Sequence, residues 1–211
     1  MLTWHTGGGF QSPSSFPPPL PYADCALYYF PDWIAVAKAD ALFDALNAEI
    51  PWQQRAIQVY GRQVMQPRLT AWIGDESASY SYSKTQHLPE PWTPTTSKLR
   101  HDLEQSCQWR FNSVLANCYR NGEDSMGWHA DNEAELGQQP VIASLTLGAA
   151  RRFVMRRRDD HQQKFECLLA HGSLLVMAGE TQQYWQHSLP KSRKVNGARI
   201  NLTYRWICQA G

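Results

Sequence analysis

The chain has 211 residues, 43% of them hydrophobic, which is enough for one well-packed core and too little for two independent domains. Twenty Lys and Arg nearly balance nineteen Asp and Glu, so the formal net charge is +1 and any basic surface for a polyanion must be local. Five cysteines (Cys25, Cys107, Cys118, Cys167, Cys208) form no C-x-x-C pair, which argues against a disulfide scaffold and a zinc site, and no apolar stretch approaches the roughly 20 residues of a membrane span.

Met1 to Asp24 is rich in Gly, Ser and Pro and lacks the basic and apolar regions of a leader, so residues 1–24 are expected to form a disordered tail. A single domain, 25–211, follows, and the cysteine usage fits a reducing cytoplasm. Ala35, Ala39, Leu42, Phe43, Leu46 and Ile50 recur at near-helical spacing and stop at Pro51, which predicts an amphipathic helix over Ala35–Ile50. A second helix is expected over Thr95–Cys107, behind Pro94, with Leu99 and Leu103 on one face. From Phe111 the pattern turns to short apolar or alternating runs: Asn112–Tyr119, Val141–Leu147, Arg152–Met155, Phe165–Leu169, Ser173–Met177 and Arg199–Ile207. Short strands in succession predict an antiparallel sandwich or barrel, and the helices ahead of them make the chain α+β.

Within the strand region, Trp128-His129-Ala130-Asp131 holds the only His-x-Asp or His-x-Glu of the chain. On an extended backbone the one-residue gap puts both side chains on one face, where they can share an ion; the bland reading is a surface His beside a surface Asp. A third ligand must come from another strand, and His187, behind Tyr184 and Trp185, is the best candidate. A histidine that only caps a turn is the alternative, more strongly so for His171, which precedes Gly172. Two His and one carboxylate form a facial triad that leaves room on iron for an oxoacid and dioxygen.

Read with a period of two, Arg199 to Ile207 has one face of Arg199, Asn201, Thr203 and Arg205 and another of Ile200, Leu202, Tyr204 and Trp206. Two arginines on a face backed by apolar residues point to a polar interior neutralised by a dicarboxylate such as 2-oxoglutarate. An ordinary surface strand is the competing reading. Asn117 and Tyr119, two residues apart, are plausible partners for the same ligand.

Taken in order, Asn117-x-Tyr119, His129-x-Asp131, His187 and Arg199-x-Asn201-x-x-x-Arg205 resemble the AlkB dioxygenase family, and Gln58-Val59-Tyr60-Gly61 and His187-Ser188-Leu189-Pro190 look most like its duplex-DNA repair branch. The resemblance implies a double-stranded β-helix, or jelly-roll, core with N-terminal helices packed on one sheet and a nucleotide-recognition lid at about 55–85. It implies Fe(II) held by His129, Asp131 and His187, with dioxygen as co-reactant. The cosubstrate 2-oxoglutarate would be held by Asn117, Tyr119, Arg199, Asn201, Thr203 and Arg205, its distal carboxylate at Arg199 and Tyr119. By position, Tyr60, Gly61 and Arg62 match a hairpin that wedges into a duplex, Tyr80 and Tyr82 a base pocket, and Asn132 and Glu133 residues that read the base edge. The implied activity is oxidative demethylation of 1-methyladenine or 3-methylcytosine in DNA by a cytoplasmic monomer; the rival is a dioxygenase of the same fold acting on RNA, protein or a small molecule. Arg151-Arg152, Arg156-Arg157-Arg158 and Lys191-Ser192-Arg193-Lys194 are compact basic clusters that either meet phosphates or are solvated strand ends.

Overall fold

The computed structural model describes residues 10–59, 61–78, 80–82 and 85–208. In chain order these form β1 (Ala26–Phe30), α1 (Val36–Glu49), β2 (Ala56–Val59), β3 (Arg62–Met65), β4 (Leu69–Gly74), β5 (Tyr80–Tyr82), β6 (Thr85–His87) and α2 (Pro94–Cys107). Then follow β7 (Ser113–Tyr119), β8 (Met126–His129), β9 (Ile142–Gly148), β10 (Arg151–Arg157), β11 (Lys164–Leu169), β12 (Leu174–Ala178), a short α3 (Thr181–Tyr184), β13 (Trp185–Leu189) and β14 (Arg199–Arg205). A six-stranded antiparallel sheet, ordered β1-β12-β9-β14-β7-β4, packs against a four-stranded one, β11-β10-β13-β8, an arrangement consistent with a jelly-roll core.

Local chemistry sets the helix ends. Pro94 occupies the first turn of α2 and Thr93 caps it, its hydroxyl accepting from Thr96 N while Thr96 Oγ1 accepts from Thr93 N. Beyond α1, Ile50 is extended and Pro51 cannot continue the helix.

The large sheet has two different faces. Ile200, Leu202 and Tyr204 share one core with Val114, Ala116 and the helix residues Leu46, Leu99 and Leu103. Between the sheets, Leu27, Ile142, Leu175 and Met177 pack on Phe153, Met155, Leu169 and Trp185. The alternate residues of β14 therefore face the space between the sheets, and every one of them is polar.

Several sequence expectations are revised. Strands β1, β4, β8 and β13 were not predicted. The interval 55–85 is not one lid segment: β4, in its middle, is a strand of the large sheet, paired with β7, and separate hairpins β2–β3 and β5–β6 lie on either side. The last strand stops at Arg205 because Ile207 is held by the Asn112 side chain, which accepts from Ile207 N and donates to Ile207 O. From Phe10 on, the expected tail lies against the body. Phe16 packs edge-on against Tyr28 and Phe30, and Tyr22 stacks on Phe165 with centroids 3.8 Å apart. Composition averaged over Gly, Ser and Pro hides these aromatic anchors.

Candidate active site

Strand β8 is the edge of the small sheet and pairs with β13 so that His129 lies opposite His187. Past the strand end the chain carries Asp131 inward, where its N–H donates to Gln182 Oε1 of α3 at 2.9 Å. The two imidazoles lie 4.2 Å apart by centroid, and each Nε2 is 3.9 Å from an oxygen of Asp131. All three ligand atoms fall within 4.8 Å of one another.

The protonation pattern suits a metal. His129 Nδ1 sits 2.9 Å from Gly127 O, which can only accept, so the proton belongs on Nδ1 and the Nε2 lone pair is left for an ion. Burial, with His129 beside it, pushes His187 down to about 3, so it is a neutral donor. Burial works against the charge of Asp131, yet the Arg205 guanidinium, donating to it at 2.9 Å, holds its carboxyl below the ordinary value. Two imidazoles and one carboxylate fit a divalent iron ion.

The triad opens into a cavity of about 120 Å³ between the sheets, lined also by Arg68, Asn117, Tyr119, Arg199, Asn201, Thr203 and Arg205. β14 supplies four of these, its register setting Arg199 beside Tyr119 and Asn201 beside Asn117. Arg199, 2% exposed, donates through Nη2 to Thr146 Oγ1 at 2.9 Å and lies 5.3 Å from the Tyr119 ring. Burial pushes its guanidinium down to about 10, which leaves it charged at neutral pH. Asn201 donates to Ser144 Oγ and Leu145 O and accepts from Thr203. The Nε atoms of Arg199 and Arg205 are buried without a protein partner among the described residues. Unmet cationic donors in a cavity beside an ion site are what a dicarboxylate that also reaches the metal satisfies.

Several residues of the site escaped sequence reasoning. Gln182 carries no sequence signal, Thr146 shows only as part of a strand run, and Arg68, which the sequence places with Arg62 among Tyr60, Trp72, Tyr80 and Tyr82 on a surface that stacks on an extruded base, is instead buried against Asn117. Arg151 was read as part of a basic rim, but it is 1% exposed and donates to the carbonyls of Asn121, Asp124 and Pro190. Much of that rim is engaged internally: Arg152 pairs with Glu166, Arg156 with Gln186, Arg157 with Asp24 and Asp159, and Lys191 with Glu123. Arg158, Arg193 and Lys194 are exposed. His171 accepts from Gly148 N, the turn-capping role.

Of the expected base-contacting residues, Glu133 lines both the cavity and an adjoining pocket of about 510 Å³ walled by Trp72, Leu115, Leu136 and Ile207. Glu135, Ser113, Arg55 and Arg205 also line it. Asn132 does not join it; that residue lines a separate surface groove with Arg158 and Gln183. Gly61 turns the β2–β3 hairpin at φ 76°, a left-handed conformation. Tyr60 and the side chains of Arg62, Tyr80 and Tyr82 lie outside the described residues.

A family model described as the 2OG-Fe(II) oxygenase superfamily matches residues 26–205. The chain is similar to alpha-ketoglutarate-dependent dioxygenase alkB homolog 3 of Bos taurus, 39% identical over 84% of this chain and 64% of the relative. It is also similar to DNA oxidative demethylase ALKBH2 of Homo sapiens, 38% identical over 81% of this chain and 69% of the relative. The chain thus spans somewhat less than two thirds of the alkB homolog 3 relative and slightly more than two thirds of ALKBH2. Among solved structures, OsALKBH1 superposes with a TM-score of 0.61 over 89% of this chain and 100% of that one, at 15% identity, a likeness of fold.

Proposed function

The chain belongs to the 2OG-Fe(II) oxygenase superfamily and, within it, to the AlkB homologues, and from that premise we propose that it oxidatively removes alkyl groups from N-alkylated bases in DNA. The carrying observation is one cavity that joins the His129, Asp131 and His187 cluster to buried arginine N–H groups without a protein partner. Iron and 2-oxoglutarate, when bound there, supply with dioxygen the oxidation of the N-alkyl carbon, after which the carbinolamine releases an aldehyde and the intact base.

The chain's own residues do the positioning. Gly127 fixes the His129 tautomer, Gln182 anchors the Asp131 backbone and Arg205 orients the Asp131 carboxylate. Arg199 and Tyr119 take the distal carboxylate of the cosubstrate, and Arg205 faces the end nearer the metal. The adjoining pocket receives the extruded base between apolar walls. Glu133 and Glu135 favour 1-methyladenine and 3-methylcytosine there, because methylation leaves both bases cationic. In the same reading the hairpins β2–β3 and β5–β6 form the nucleotide lid, and Tyr60, beside the Gly61 turn, fills the gap that the flipped base leaves.

The test is mass spectrometry of oligonucleotides carrying 1-methyladenine or 3-methylcytosine, as DNA or RNA and as single or double strand, incubated with Fe(II) and 2-oxoglutarate. Loss of the methyl group with matching succinate is expected on DNA. Demethylation of RNA alone would reassign the substrate, and succinate release without any demethylation would move the activity to protein or small-molecule substrates.

A further inference from the structure

One buried cation of the cavity has no part in the chemistry just described. Arg68 lies in the link between β3 and β4, where its N–H donates to Gln66 O and Ser125 N donates to Pro67 O. Its side chain is buried, and its Nε donates to Asn117 Oδ1 at 2.7 Å. A guanidinium has N–H donors and no acceptor, so the Asn117 atom that faces it must be the carbonyl oxygen. The amide is thereby committed to one of its two orientations. Its Nδ2, on the other side, donates to no protein group among the described residues, and Asn117 lines the cavity. Asn201, its register partner on β14, is held the opposite way, by donation through its own Nδ2 to Ser144 and Leu145. Of the two facing amides, Asn117 is therefore the one with N–H donors to spare.

We propose that Arg68 is a positioning residue for the cosubstrate: it fixes Asn117 in the orientation that offers its NH₂ to an oxygen of a 2-oxoacid. The reversed amide would present its own oxygen to that ligand and repel it. The inference rests on the 2-oxoglutarate reading above.

The experiment is calorimetric titration of 2-oxoglutarate into the Mn(II)-loaded protein, with Mn(II) affinity measured separately. Arg68→Met is expected to weaken 2-oxoglutarate binding about tenfold, the worth of one well-oriented hydrogen bond, with Mn(II) affinity unchanged. Arg68→Lys should recover most of the loss, since an ammonium also only donates. In an Asn117→Ala background Arg68→Met should add almost nothing, because the amide through which it acts is gone. Wild-type affinity in Arg68→Met, or losses that simply add in the double variant, would overturn the proposal. If Arg68→Met does not fold, Asn117→Asp decides: a carboxylate keeps the Arg68 contact but turns an oxygen toward the ligand, so binding should still fall at least tenfold, and unchanged binding overturns the inference. A wild-type protein with no affinity for 2-oxoglutarate would instead sink the reading on which both rest.

Discussion

Arg199 is the residue whose setting in the protein most needs a ligand: a bond to Thr146, the Tyr119 side chain beside it and a buried Nε without a partner among the described residues. Arg199→Met keeps most of the volume and removes the charge. We expect the variant to stay folded and to lose 2-oxoglutarate binding, read by circular dichroism and by titration of the Mn(II) form; retained affinity would refute the anchor. The thiols make a second, simpler case. Burial pushes Cys25 and Cys107 up to about 12 and Cys167 up to about 11, so thiolate is scarce at pH 8. Iodoacetamide should leave Cys25 and Cys107 unlabelled in the native protein and label them after denaturation, as intact mass will report. His129 with Asp131, and Arg199 with Arg205, were legible in the sequence because their offsets are local, whereas His187 was legible only from its aromatic and apolar setting. The partners of Arg68, Thr146 and Gln182 were not, because each lies 49 to 53 positions away, a distance no local pattern encodes.

The turn that follows β7 is held by charge. Arg120 donates to Asp124 through Nε, Nη2 and its backbone N, and holds that carboxyl below the ordinary carboxylate range. With a depressed folded pKa, the stabilisation is present above the unfolded value near 3.9 and is lost as pH falls through the folded one. Asp124→Asn should therefore lower stability by about 1 to 2 kcal/mol at pH 7, with the gap to wild type closing below roughly pH 4 in denaturant melts. A gap that does not narrow at all as pH falls from about 5 would assign the loss to packing. At the start of α2, Thr93→Ala removes the reciprocal cap and should cost about 1 kcal/mol by the same melts; no measurable change would mean that tertiary contacts set that end. The two long helices, α1 and α2, were readable, since periodicity and proline mark them, whereas the single turn of α3 was not. Strand β8, Met-Gly-Trp-His, shows neither alternation nor β-branched residues, and β13 mixes Gln, His and Ser with its apolar positions because it borders the ion site. Function thus removed the hydrophobic pattern that would have revealed these two strands.

Taken whole, the molecule carries a formal charge of +1, and much of its arginine is spent on internal partners. With Arg158, Arg193 and Lys194 as the exposed members of the basic clusters outside the ion pairs named above, DNA affinity should fall with salt at a log–log slope of roughly −3, measured by anisotropy between 50 and 200 mM salt. A slope near −8 would mean a far larger phosphate footprint. The order of the large sheet bears on synthesis. β14, the last strand in the chain, is not at an edge but between β9 and β7, and it supplies Arg199 and Arg205. A nascent chain that has not yet released β14 from the ribosome holds two half-sheets with unpaired inner edges, poor in cooperative stability and prone to association. Closing that gap and delivering the cosubstrate arginines are one event, so truncated chains should emerge both unfolded and inert, and no folded population lacking its anchor should accumulate for quality control to sort.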